Sequence, residues 1–138
     1  MPLNRLDHVS IRTAKLDETE RFYTEVLGMS VGPRPNFNFP GLWLYQDNLA
    51  VVHIVGIDPH DSTGLIDYLG AKAGHDGAGT GSIDHVAFAG SDIEAMRARF
   101  RATGVAFRER VVPDLNLEQV FIEDPNGVTI ELNFPTAA

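Results

Sequence analysis

Leu6-Asp7-His8-Val9-Ser10-Ile11 returns as Ile83-Asp84-His85-Val86-Ala87-Phe88, 77 residues further along the chain. A second echo lies near the end of each half, where Asn48-Leu49-Ala50-Val51-Val52-His53-Ile54 matches Asn126-Gly127-Val128-Thr129-Ile130-Glu131-Leu132 at a spacing of 78. Self-similarity at a fixed spacing marks a repeated structural unit, so the chain reads as one unit used twice. His8 and His85 hold equivalent positions, and so do His53 and Glu131. Four side chains able to bind a metal thus stand at matched places in segments that otherwise read as strand.

Working outward from these echoes, each half reads strand, helix, then three strands. Leu6 to Arg12 alternates, and Leu16 to Leu27 has helical spacing with Gly28 placed for a left-handed cap. Short strands follow near Ser30 to Gly32, Leu42 to Gln46 and Leu49 to Val55. In the second half Ile83 to Ala89 opens, and Ser91-Asp92-Ile93-Glu94 has the pattern of a capping box before a helix ending at Gly104. Strands near Ala106 to Val112, Gln119 to Glu123 and Val128 to Phe134 complete it, the last two joined by the turn Asp124-Pro125-Asn126-Gly127. The expected class is α+β: two βαβββ modules in a cupped mixed sheet, all within a single domain over 1–138. Module 1 spans about 4–55 and module 2 about 82–135, with a glycine-rich connection at 56–81 that reads as a linker and candidate lid.

Strand parity separates two faces, because side chains alternate with period two. His8 sides with Ser10, His85 with Ala87 and Ala89, and Glu131 with Thr129 and Asn133. The reverse faces carry Val9 and Ile11, Val86 and Phe88, and Val128, Ile130, Leu132 and Phe134. A lone strand histidine is ordinarily a hydrogen-bonded or partly exposed residue, but four candidates in register, three of them on small or polar faces, point to a metal centre. A glutamate amid Val128-Thr129-Ile130-Glu131-Leu132 is costly to bury unless paired or bound to a cation. His60 and His75, in the connection, read as surface residues. Phe37, Phe39, Trp43, Tyr45 and Gln119 are candidate pocket-lining residues, with the proline-rich stretch Gly32 to Gly41 as a wall.

Composition narrows the chemistry. With 138 residues and no cysteine, the chain holds one ordinary core, and thiolate catalysis, disulfides and Cys-based metal sites are excluded. Eleven Lys plus Arg against nineteen Asp plus Glu give a net charge of −8, which disfavours nucleic acid and anionic lipid as partners. Met1-Pro2-Leu3-Asn4-Arg5 lacks the pattern of a secretion signal, and no apolar run approaches the roughly 18 residues of a membrane span. The expectation is a soluble, cytoplasmic protein.

The doubled unit, with Leu6-Asp7-His8-Val9, Phe22-Tyr23-Thr24-Glu25-Val26-Leu27-Gly28, Ile83-Asp84-His85-Val86 and Asp124-Pro125-Asn126-Gly127-Val128-Thr129-Ile130-Glu131-Leu132, resembles the vicinal oxygen chelate superfamily over nearly the whole chain. That group includes glyoxalase I, methylmalonyl-CoA epimerase, fosfomycin and bleomycin resistance proteins, and extradiol dioxygenases. The resemblance implies one divalent ion per chain (Zn²⁺, Mn²⁺, Ni²⁺, Co²⁺ or Fe²⁺) held by His8, His53, His85 and Glu131, in a homodimer. It implies a small chelating oxygenated substrate and isomerase or lyase chemistry, with Glu131 or His53 as catalytic proton carrier. Whether one chain or two build the centre stays open. Glyoxalase I has Glu or Gln where this chain has His53. An extradiol-type Fe(II) dioxygenase is an alternative, weakened because Phe121 stands on the strand where those enzymes use a tyrosine. A second alternative is a drug-binding resistance protein without turnover.

Overall fold

The structure is a computed structural model that describes residues 2, 5–58, 60–69, 79–81, 83–112 and 115–136, apart from the side chains of 68 and 69. The order of elements is β1 (Val9–Thr13), α1 (Leu16–Arg21) continued by a π-wound turn (Phe22–Val26), β2 (Ser30–Gly32), β3 (Gly41–Gln46), β4 (Leu49–Gly56), α2 (Thr63–Leu69), β5 (His85–Ala89), α3 (Ile93–Thr103), β6 (Arg108–Val112), β7 (Leu117–Glu123) and β8 (Thr129–Pro135). They form two four-stranded sheets, ordered β1-β4-β3-β2 and β5-β8-β7-β6. In each sheet the first pair runs parallel and the other two antiparallel, so the sequence repeat is a repeat of topology. This is the α+β architecture that the doubled unit predicts. Among the described residues no helix is long and apolar enough to cross a membrane.

Alternation decides which face of each sheet is buried. The first sheet buries Ile11, Leu42, Leu44, Val52 and Ile54, and the second buries Val120, Ile122, Ile130, Leu132 and Phe134. Both sets join one core with Phe22, Tyr23 and Val26 of the π turn and Phe100 of α3. The opposite faces carry the histidines and Glu131, and that of the first sheet is covered at its Val55 end by Phe39 and Leu65.

Two local features differ from the sequence reading. The helix expected over Leu16 to Leu27 widens in its second half, where the Leu27 amide reaches back five residues to the Phe22 carbonyl at 3.2 Å. That wider turn buries Phe22, Tyr23 and Val26 together before Gly28 reverses the chain at φ 77°. At α3 the cap is Asp92, not Ser91: the Asp92 carboxylate accepts from the Ala95 amide at 3.0 Å, so the helix starts one residue later than the capping-box pattern implies.

A buried polar network locks the halves together. The Tyr23 hydroxyl donates to Asp124 Oδ2 at 2.9 Å, while Asp124 Oδ1 accepts from the amides of Asn126 and Val128 at 2.8 and 2.9 Å. Asn126 completes it, its Oδ1 accepting from the Thr13 hydroxyl at 2.6 Å and its Nδ2 donating to Thr19 at 3.0 Å. The Asp124-Pro125-Asn126-Gly127 segment is thus a turn, as expected, and also the clasp between modules. Burial and the neighbouring carboxylate both hold the Tyr23 phenol protonated far above its ordinary range.

The loop before β3 is fixed by Phe39, which packs with Ile57 against the Val55 and Leu65 cluster, and by Gly64 of α2. The Asn38 carbonyl comes so near Gly64 that a Cβ there would overlap it. His60 is exposed, as expected, while His75 and part of the glycine-rich connection lie outside the described residues.

Candidate metal centre

Register brings the ligand candidates together two by two. Ser10 pairs with His53 across β1 and β4, so His8, two residues before Ser10 and on its face, stacks its imidazole on His53 with centroids 3.7 Å apart and planes 11° from parallel. In the second sheet Ala87 pairs with Glu131, and His85, again two residues earlier, lies with Nε2 3.7 Å from Glu131 Oε1. The repeat therefore sets a pair of ligand candidates at matched places in each sheet, two histidines in the first and a histidine with a glutamate in the second.

Hydrogen bonds choose the nitrogen that each histidine presents. A carboxylate and a carbonyl only accept, so the ring nitrogen facing them must carry the proton. His8 Nδ1 donates to Asp7 Oδ2 at 2.7 Å, His85 Nδ1 donates to Asp84 Oδ2 at 2.9 Å, and His53 Nε2 donates to the Ala50 carbonyl at 3.1 Å. The lone pairs left are on His8 Nε2, His85 Nε2 and His53 Nδ1. Glu131 is held in turn: Asn133 Nδ2 donates to its Oε2 at 2.9 Å, and Gln119 Nε2 donates to Asn133 Oδ1 at 2.9 Å. A carboxylate oriented by an amide relay, with Oε1 left toward His85, is a donor set suited to a divalent ion.

Electrostatics differ between the two pairs. The hydrogen bond to Asp84 raises the His85 pKa above its ordinary value, whereas burial, reinforced by the neighbouring His8, lowers that of His53. The Asp7 carboxyl is lowered chiefly by its bond to His8. Asp7, Asp84 and Asn133 are site residues the sequence reading passed over. The signal was present, since Asp-His is part of the repeated motif at the same spacing of 77.

The pairs do not meet within one chain. Among the described residues no three His, Asp or Glu side chains are grouped so as to hold one ion. Each pair sits on the face turned from the shared core, with His8 37% and His85 39% exposed, and each lies at or beside an edge strand, β1 or β5. Next to them Leu6 and Ile83, equivalent residues of the repeat, are 87% and 60% exposed.

Of the pocket candidates, Trp43 stacks on the other face of His53 at 3.9 Å and 11°. Phe37 stacks on Phe39 at 5.1 Å and lies 6.3 Å from Trp43. The Tyr45 ring covers Gly32, and its hydroxyl donates to the Pro33 carbonyl at 2.6 Å. Gln119 serves the relay to Glu131. A separate cleft of about 520 Å³ opens between the modules, lined by Met29, Tyr45, Phe88, Met96 and Phe134 among others.

A family model described as the Glyoxalase/Bleomycin resistance protein/Dioxygenase superfamily matches residues 5–132. The chain belongs to this superfamily. It is 31% identical over 134 residues to a Vibrio parahaemolyticus protein named "Probable lactoylglutathione lyase", covering 96% of this chain and 91% of that one. It is 25% identical over 133 residues to "Glyoxylase I 4" of Arabidopsis thaliana, covering 94% and 70%. Among solved structures it is similar to TnmS3, an antibiotic binding protein from Streptomyces sp. CB03234, with a TM-score of 0.66, 21% identity and 99% of each chain covered. That structural likeness shows the glyoxalase-like fold.

Proposed function

We propose that this superfamily member is a homodimeric metal-dependent enzyme whose centre joins His8 and His53 of one copy to His85 and Glu131 of a second. The observation that carries this reading is the pair of equivalent half-sites, each on an open face at a sheet edge and each with its ligating atoms left uncommitted. An unpaired strand edge flanked by exposed Leu6 and Ile83 is a surface that favours being covered, and a two-fold dimer covers both edges at once.

A bound divalent ion supplies Lewis-acid stabilisation of negative charge on a substrate oxygen. The chain's own residues do the rest. Glu131 or His53, shifted off the ion, would carry the substrate proton: Glu131 on Oε1 while Asn133 holds Oε2, or His53, whose pKa burial lowers, on Nδ1. The reaction class is isomerase or lyase chemistry on a small substrate with neighbouring oxygens, in keeping with the names Glyoxylase I 4 and probable lactoylglutathione lyase that the two relatives carry. A second reading, ligand sequestration without turnover, is favoured by the ring stack beside His53 and by the antibiotic-binding structural neighbour.

Complementation tests the assembled centre. His8→Ala and His85→Ala chains, each with a different affinity tag, are co-expressed and doubly purified. A mixed dimer has one centre with both lesions and one with none, so it should retain about one ion per dimer while either homodimer retains far less. A mixed dimer that binds no more metal than the parents overturns the shared centre. Turnover of an α-hydroxy carbonyl or hemithioacetal without O₂, with Mn²⁺ or Ni²⁺, supports proton transfer. Strict Fe(II) dependence with coupled O₂ consumption overturns it in favour of the dioxygenase.

A further inference from the structure

The joint between the modules has two ends, and the repeat relates them. At one end the Asp124-Pro125-Asn126-Gly127 turn seats on Thr13, Thr19 and Tyr23. Lys15 adds its ammonium, donating to the Pro125 carbonyl at 3.2 Å. The spacing of 78 makes Gln46, Asp47 and Asn48 the counterparts of Asp124, Pro125 and Asn126, and the spacing of 77 puts Gly90, Asp92, Met96 and Phe100 where the seat has Thr13, Lys15, Thr19 and Tyr23. Every hydroxyl of the seat and its ammonium are lost in that exchange. Asp92 is committed to the cap of α3, and the Phe134 ring lies where a Cβ on Gly90 would stand. Between these counterparts opens the cleft of about 520 Å³, with Gln46 and Asp47 on one wall and Gly90 and Met96 on another. The cleft is the seat of a second clasp, left unfilled.

We propose that this cleft binds a small organic cation, an amine carrying an apolar body, independently of the metal centre. Its volume falls within the roughly 300–1,000 Å³ of small-ligand sites, and it lies where such sites concentrate, between two packed units. Met29, Phe88, Met96 and Phe134 offer sulfur and ring surface that adapts to an apolar body. Asp47 is the one charged side chain of the lining, and among the described residues neither it nor Gln46 has a side-chain hydrogen bond or ion pair. The clasped turn receives hydroxyl donors and an ammonium, so a protonated amine returns to the open turn what its own seat lacks. The net charge of −8 favours a cation over an anion throughout. The competing occupant is an anion, because the Arg99 guanidinium packs against Gly28 of the cleft wall while donating to the Glu25 carbonyl at 3.2 Å.

Three probes share a phenethyl body and differ in the head: phenethylamine, phenethyl alcohol and hydrocinnamate. Each is titrated into the full chain with EDTA present, which keeps the amine from any metal, and binding is followed by backbone amide chemical shifts. Phenethylamine should bind about three- to fivefold tighter than the alcohol, the scale of one exposed ion pair, and hydrocinnamate should bind weakest. The shifts should centre on Asp47, Gly90 and Ser91. Asp47→Asn, a residue that accepts the φ of 56° at that position, should bring the amine to the affinity of the alcohol and leave the alcohol unchanged. Ser91→Trp, at an exposed position of the lining, should block all three probes. Hydrocinnamate binding as tightly as the amine, an amine advantage that survives in Asp47→Asn, shifts centred elsewhere, or no binding by any probe overturns the inference. The metal centre stands or falls separately, since none of these residues belongs to it.

Discussion

Removing the Tyr23 hydroxyl is the cleanest probe of how the modules are joined. Tyr23 is fully buried and donates to Asp124 Oδ2 at 2.9 Å, a hydrogen bond to a carboxylate. Such bonds contribute about 1.5–3 kcal/mol. Asp124 keeps the amides of Asn126 and Val128 on its other oxygen, so Tyr23→Phe strips one partner without orphaning the carboxylate, and the loss should sit at the low end, about 1.5–2 kcal/mol. An unfolding entropy of about 2.1 cal/mol/K per residue converts that to roughly 5–7 °C in Tm for a chain of 138 residues. Asp124→Asn keeps an oxygen for the two amides and should cost less, about 1 kcal/mol. Asp124→Ala abandons two buried amides and the phenol together, about 4 kcal/mol or more, a large share of a domain's stability. Urea unfolding at fixed protein concentration, followed by far-UV circular dichroism and by Trp43 emission, reads all three variants. Since the clasp couples the halves, both probes should report one transition in the wild type. A Tyr23→Phe cost below about 0.5 kcal/mol would refute the clasp as a significant tie between modules.

Three further outcomes follow from the centre and the fold. Glu131→Gln should weaken metal binding strongly, and Asn133→Leu, which breaks the relay from Gln119, by about 10–100-fold, with the circular dichroism spectrum of each unchanged; equal metal retention in competition dialysis would remove both from the centre. Metal affinity should fall as pH drops, starting somewhat above 6.5, because the Asp84-bonded His85 has a raised pKa and is the first to take the proton that excludes the ion, while His53, with its pKa lowered, stays neutral further down. Flat affinity between about pH 5 and 8 would exclude histidine ligation. Gly90→Ala should destabilise by about 1–3 kcal/mol, since a Cβ there enters the Phe134 ring, and wild-type stability in that variant would show the contact to be soft.

What could be read from the sequence was whatever a period of two or a fixed spacing encodes. Parity separated His8 and Ser10 from Ile11, and Glu131 from Ile130 and Leu132, and the burial pattern follows that division residue by residue. The spacings of 77 and 78 matched each half-site residue with its counterpart. What escaped was set by contacts across the chain. Nothing local announces that Asp124 reaches Tyr23, 101 residues away, or that Asn126 reaches Thr13 across 113, and those contacts fix how the modules pack. Module packing in turn decides that the two pairs stay apart within a chain. The Trp43–His53–His8 stack needed the register of three strands, which becomes visible only once β3 is paired with β4 and β4 with β1. At Ser91 the capping-box spacing pointed one residue too early, because the Asp92 carboxylate takes the Ala95 amide instead.

Alternation along these strands has an evolutionary reading as well. In Ile130-Glu131-Leu132-Asn133-Phe134 the odd-numbered residues lie on the face turned from the core and the even-numbered ones fill the core. Stability and chemistry are thus written in the same strand on interleaved letters. Selection can rewrite one set while the other is conserved, since an exchange on the open face leaves the packed face untouched. An exchange confined to that face changes what the strand presents while the packed face keeps its contacts. Proteins bearing names as different as lactoylglutathione lyase and antibiotic binding protein share it at 31% and 21% identity to this chain, the divergence that such a division of labour permits.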